Sequence, residues 1–151
     1  MSFRAFPFPF RLGTDICSVS RIAALLSKGA ANDINPARLQ HFMRRCFTVH
    51  EIKEFNQRRP TFSGQWDIAR HLAGRWAAKE AIIKASPRKI FMKDIVILPS
   101  DNGPVASILD ELCSQMSHTL PVDGLRGQNV LISISHEKDH AVATAIVPTH
   151  Q

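Results

Sequence analysis

Residues able to do chemistry concentrate in the stretch Arg75-Trp76-Ala77-Ala78-Lys79-Glu80-Ala81-Ile82-Ile83-Lys84-Ala85. Its Ala, Lys, Glu and Ile content, with no Gly or Pro before Pro87, predicts a helix. At about 100° per residue, Arg75, Lys79, Glu80 and Lys84 fall within one half-turn, together with Trp76 and Ile83. The alanines and Ile82 cover the opposite half, where a neighbouring backbone can come close. Three cations then surround one carboxylate. Alone, such a face reads as a solvated surface with a Glu80–Lys84 pair at i,i+4, contributing only a few tenths of a kcal/mol. Two other pieces of chain give it more meaning. Asp15 ends the short apolar run Leu12-Gly13-Thr14-Asp15-Ile16, and the alternating run Val130 to Ser135 ends in His136.

In this order, Gly13/Asp15, Trp76/Lys79/Glu80/Lys84 and Ser133/Ser135/His136 resemble the signature of the 4'-phosphopantetheinyl transferases of the holo-acyl-carrier-protein synthase type. The resemblance spans about Leu12 to Val147, with insertions expected near 27–38 and 113–128. It implies transfer of phosphopantetheine from coenzyme A to a serine of an acyl carrier protein, serving fatty acid synthesis and releasing 3',5'-ADP. Pyrophosphate oxygens carry the charge in such a reaction, so catalysis is mainly positioning and neutralisation. By resemblance, Asp15 and Glu80 are the carboxylates that hold Mg²⁺, a hard cation needing few protein ligands. Lys84, one turn beyond Glu80, would stabilise the developing charge or protonate the departing phosphate. Metal-bound water or Glu80 are equal candidates for the base.

The same resemblance gives Arg75 and Lys79 to the phosphates of coenzyme A, and Ser135 with His136 to its nucleotide phosphate. Asn102-Gly103-Pro104 resembles a family turn at the cofactor, although the lysine expected between Gly and Pro is missing. Arg21 and Arg45 match basic positions and would dock an acidic, helical carrier protein through a salt-sensitive face. One copy of the motif set implies a homotrimer with composite sites between subunits.

Bulk properties agree with a soluble globular chain. The 151 residues are 44% hydrophobic and 21% charged, and are expected to form one domain over 1–151. No apolar run approaches the roughly 20 residues that span a bilayer. A net charge of +6 suits an acidic partner, whether a phosphorylated cofactor, an acidic protein or nucleic acid. A non-catalytic module binding RNA or carrier protein is the alternative reading, encouraged by Arg44-Arg45 and Arg58-Arg59. Against it, there is no Tyr and no interleaving of aromatic and basic residues for base stacking. Three scattered cysteines point to a reducing compartment. The Phe- and Arg-rich lead from Met1 to Arg11 favours mitochondria slightly over the cytoplasm.

The expected layout is α+β, with the long central helix packed on a mainly antiparallel sheet. Strands are expected at Phe10–Ile16, Ile95–Leu98, Val105–Ile108, Val130–Ser135 and Ala141–Val147. Ser18 caps a helix ending near Gly29. A further helical piece is expected around Leu39 to Phe47, and Thr48 and Glu51 form a capping box for the next. Asp67 is expected to cap the central helix, and Leu109–His118 to be helical.

Overall fold

The computed structural model describes residues 6–27 and 33–149. Five strands, β1 (Phe10–Ser18), β2 (Ile95–Ser100), β3 (Gly103–Leu109), β4 (Gly127–Glu137) and β5 (His140–Pro148), form one sheet. Its order is β1-β5-β4-β3-β2, and every neighbouring pair is antiparallel. The helices are α1 (Val19–Leu26), α2 (Pro36–Cys46), α3 (Val49–Arg58), α4 (Gln65–Ala85) and α5 (Glu111–Met116). The long α4 lies across β1, β5 and β4.

Alternation sorts the strands into two faces. Gly13, Asp15 and Cys17 of β1, Ala141, Ala143 and Ala145 of β5, and Ile132, Ile134 and His136 of β4 share the face that meets α4. Ala77, Ala78, Ala81 and Ala85 are fully buried against it. Small residues on both sides let the backbones approach, and Gly13 is the closest point. A β-carbon built there would lie 2.0 Å from the carbonyl oxygen of Ala81. Larger apolar residues, among them Ile22, Leu26, Leu72, Ile82, Ile95 and Ile97, complete the core. On the other face Leu12, Ile16 and Leu131 stand exposed.

Local signals explain most boundaries. Ser18 Oγ accepts the Arg21 N–H at 3.1 Å, as its N-cap position predicts. The Thr48/Glu51 capping box forms. Gly103, at φ 102°, supplies the left-handed turn between β2 and β3. Asp67 departs from expectation: α4 begins at Gln65 after Gly64, so Asp67 lies inside the first turn. There it accepts the Ser63 N–H at 3.2 Å and pairs with Arg70 at 2.7 Å. Likewise α5 is shorter than Leu109–His118. The expected end of α1 near Gly29 and part of the 27–38 insertion lie outside the described residues.

One further contact fixes α1. Asp139, in the β4–β5 turn, accepts the Ser20 N–H at 2.7 Å, Ser20 Oγ at 2.9 Å and Ser18 Oγ at 3.1 Å. These bonds hold its carboxyl below the usual carboxylate range, with the Ser20 backbone bond the largest cause. A distant acid thus sits at the positive end of α1.

Candidate active site

Because α4 crosses β1 at Gly13, the next inward residue of β1 falls beside the last turns of that helix. Lys84 Nζ donates to Asp15 Oδ1 at 2.6 Å and to the Thr14 carbonyl at 3.1 Å. Asp15 keeps 16% of its side-chain surface and Lys84 53%. The expected Glu80–Lys84 pair is therefore replaced by a tertiary one. Glu80 is half-buried and lies one turn before Lys84 on the same helix. Asp15 of the first strand and Lys84 of the central helix thus meet across 69 positions of sequence.

Lys79 requires a correction. It is 0% exposed, so it cannot meet a phosphate at the surface of this chain. Its ammonium donates to Glu51 Oε2 (2.7 Å) and to the carbonyls of Ile95 (2.7 Å), Met92 (2.8 Å) and Cys46 (3.0 Å). Burial pulls its pKa down, and the Glu51 charge opposes that shift. Arg75 is corrected in the same way. At 8% exposure its guanidinium turns inward, where burial lowers its pKa and the charges of Glu54 and Glu51 oppose this. The cause is common to both. The α2–α3 segment covers the strip of α4 that carries Arg75 and Lys79 and touches Trp76 through Phe42, while Glu80 and Ile83 stay half-buried and Lys84 exposed.

Glu51 is the residue that sequence reasoning missed. Its carboxylate serves the capping box, accepting the Thr48 N–H at 2.8 Å, while binding Lys79 and accepting the Ile97 N–H at 3.1 Å. A capping-box acid is normally satisfied within its own helix, so the pattern gave no sign of this second use.

The remaining candidates spread over the fold. His136 lies on the α4 side of β4, in the register row of Ala141 and Cys17, adjacent to the row of Asp15. Ser135 points to the opposite face, so within one chain the two do not form a pair at one phosphate. Gly103 and Pro104 are exposed in the β2–β3 hairpin, and β2 is the edge strand opposite β1. They do not join Asp15 in the same subunit.

Between α1, α2 and α4 runs an open apolar groove of about 600 Å³, lined by Leu25, Phe42, Trp76, His41 and Arg45 among others. Trp76 stacks on Phe42, with ring centroids 5.8 Å apart. Arg45 stands exposed along this groove, and Arg21 is exposed on α1. In α1, Arg21 also donates to Cys17 Sγ at 3.6 Å.

Residues 11–145 match the model of the 4'-phosphopantetheinyl transferase superfamily. The chain belongs to that family. It is 32% identical to the mitochondrial 4'-phosphopantetheinyl transferase B of Aspergillus fumigatus, over 97% of this chain and 98% of that protein. Holo-[acyl-carrier-protein] synthase from Neisseria meningitidis superposes with a TM-score of 0.59 at 28% identity, covering 91% of this chain and 96% of the other. The synthase from Bacillus anthracis in complex with CoA (3',5'-ADP) does so with 0.57 at 25% identity, covering 92% and 96%. The arrangement of α4 on the antiparallel sheet is that of these synthases.

Proposed function

We propose that the chain is a holo-[acyl-carrier-protein] synthase, which moves 4'-phosphopantetheine from coenzyme A to a serine of an apo carrier protein. The juxtaposition of Asp15 with Lys84 next to Glu80 carries this reading. The serine Oγ attacks the β-phosphorus, the bond from that phosphorus to the bridging oxygen breaks, and 3',5'-ADP leaves with the electron pair. The serine proton passes to a base at the site. Lys84, hydrogen-bonded to Asp15, would place an ammonium where phosphate charge builds up and could protonate the leaving phosphate.

Asp15 and Glu80 are the residues that would hold Mg²⁺. Among the described residues no group of three or more His, Cys, Asp or Glu gathers as a metal cage. Two hard carboxylate donors without a thiol or imidazole suit a cation that keeps most of its waters. When bound, the ion supplies charge neutralisation to the pyrophosphate.

Arg45 lines the open groove, Arg21 stands exposed on α1, and the two would receive the acidic carrier protein. The exposed Leu12, Ile16 and Leu131 face favours association with further copies, and we read the assembly as a homotrimer. In that assembly His136, Ser135, Gly103 and Pro104 would reach coenzyme A across subunit boundaries. We assign the enzyme to mitochondrial fatty acid synthesis, in line with the location in the name of its Aspergillus fumigatus relative.

Incubation with coenzyme A, Mg²⁺ and apo carrier protein tests this reading by mass spectrometry. The carrier should gain one phosphopantetheine group with the native chain and none with Glu80→Gln. No gain with the native chain, or equal gain with both, overturns it.

A further inference from the structure

We infer that Lys79 and Glu51 form a buried positioning pair, which fixes the rotation and height of α4 on the sheet and so sets Glu80 and Lys84 opposite Asp15. The role rests on the proposed site but concerns residues that never touch substrate.

The geometry has three parts. Lys79 is the sequence neighbour of Glu80, so a rotation of α4 that moves one moves the other. Its ammonium is bound by groups from the end of α2 (Cys46), the first turn of α3 (Glu51), the turn before β2 (Met92) and β2 itself (Ile95). Glu51 closes the cage through the N–H groups of Thr48 and Ile97. Sliding or turning α4 therefore breaks directional bonds to several elements at once.

Stability alone is a poor explanation for such a pair. Desolvating two charges consumes most of their attraction, and well-packed apolar residues often serve as well or better. Apolar packing, however, is non-directional. The face of α4 that meets the sheet is built largely of alanines, which present a smooth surface with little to resist rotation. The hydrogen-bonded ion pair supplies the missing angular restraint. Its action on Glu80 resembles that of outer partners on metal ligands, where a substitution typically costs about 10–100-fold in affinity or activity.

The test compares Lys79→Met/Glu51→Gln with the native chain, using 5-fluorotryptophan in both. Trp76, on α4 against Phe42, reports the rotation of the helix. Trp66, half-exposed in the first turn of the same helix, reports the movement at its other end. The fluorine resonance of Trp76 should shift, whether or not that of Trp66 shifts with it. Mg²⁺ affinity in the presence of coenzyme A should fall about tenfold or more, and kcat with it, at nearly unchanged KM for the carrier protein. If the double variant does not fold, Lys79→Arg, which keeps the charge but lengthens the reach, is read in the same way. A folded variant with an unmoved Trp76 signal overturns the proposal, as does one with native Mg²⁺ affinity and kcat. The fluorine measurement needs no turnover, so failure of the transfer reaction itself is distinguishable from failure of the positioning pair.

Discussion

Lys84 and Asp15 meet at 2.6 Å, joining the last turn of the central helix to the edge strand on which the chain begins its sheet. With Lys84 half exposed, this contact is worth at most about 1 kcal/mol to stability. Its importance lies in where it puts an ammonium. Lys84→Met should leave the melting temperature within about 4 °C of native. It should lower kcat by on the order of 100-fold, as expected for loss of a group that stabilises transition-state charge. Steady-state kinetics beside a thermal melt checks both; a large loss of stability with native kcat would contradict the assignment.

Arg21→Glu places an acid on the outer side of α1. The KM for carrier protein should rise roughly tenfold at low salt, and the difference should shrink as ionic strength increases. The KM for coenzyme A should stay put. Kinetics at two salt concentrations gives the answer, and equal effects on both substrates would exclude a docking role.

Gly13→Ala forces a methyl group to within 2.0 Å of a backbone oxygen of α4, and neither backbone has room to yield. The strand must move away from the helix, at a cost of about 1–3 kcal/mol or more. Thermal melts should fall by roughly 2–10 °C. Mg²⁺ affinity should also drop, because Asp15 moves with its strand while Glu80 does not.

His71 packs against Phe62 and Phe55, with ring centroids 5.3 and 6.0 Å away. Burial, with Arg75 and then Arg58 adding to it, lowers its pKa from 6.5 to about 3. The unfolded chain therefore binds the extra proton first. Stability is complete above pH 6.5 and declines as the pH falls toward 3, by up to roughly 1.4 kcal/mol per unit. His71→Phe should flatten that part of a melting-temperature profile. An unchanged slope between pH 6.5 and 4 would show that another group is responsible.

Local patterns foretold much of this architecture. The strands β1, β4 and β5 were located from their apolar runs. Ser135 and His136, paired at one phosphate by resemblance, instead fall on opposite faces once the alternation of β4 is carried through to His136. The Thr48/Glu51 box and the Gly–Pro turn were written in single residues. The central helix was legible from composition, but the fate of its charged face was not. A helical wheel gives angular position, yet does not say which segment will cover a strip. Arg75 and Lys79 looked solvated because α3, which buries them, joins α4 only in three dimensions. Lys84 had an acid four residues away in sequence, whereas the fold offered it Asp15 instead. Asp139 gave no signal, since its partners lie at the far end of the chain.

The pairing of β1 with β5 has a bearing on synthesis. Strand β1 hydrogen-bonds to β5, which leaves the ribosome more than 120 residues later, and Asp15 faces Ala143 across that ladder. Until the C-terminal hairpin emerges, β1 has no neighbour in its sheet, and such long-range closure slows folding. A nascent or truncated chain without β5 therefore displays an unsatisfied strand bearing Leu12 and Ile16, a natural target for a chaperone. The edge that joins Asp15 to Lys84 is among the last parts of the described fold to be assembled.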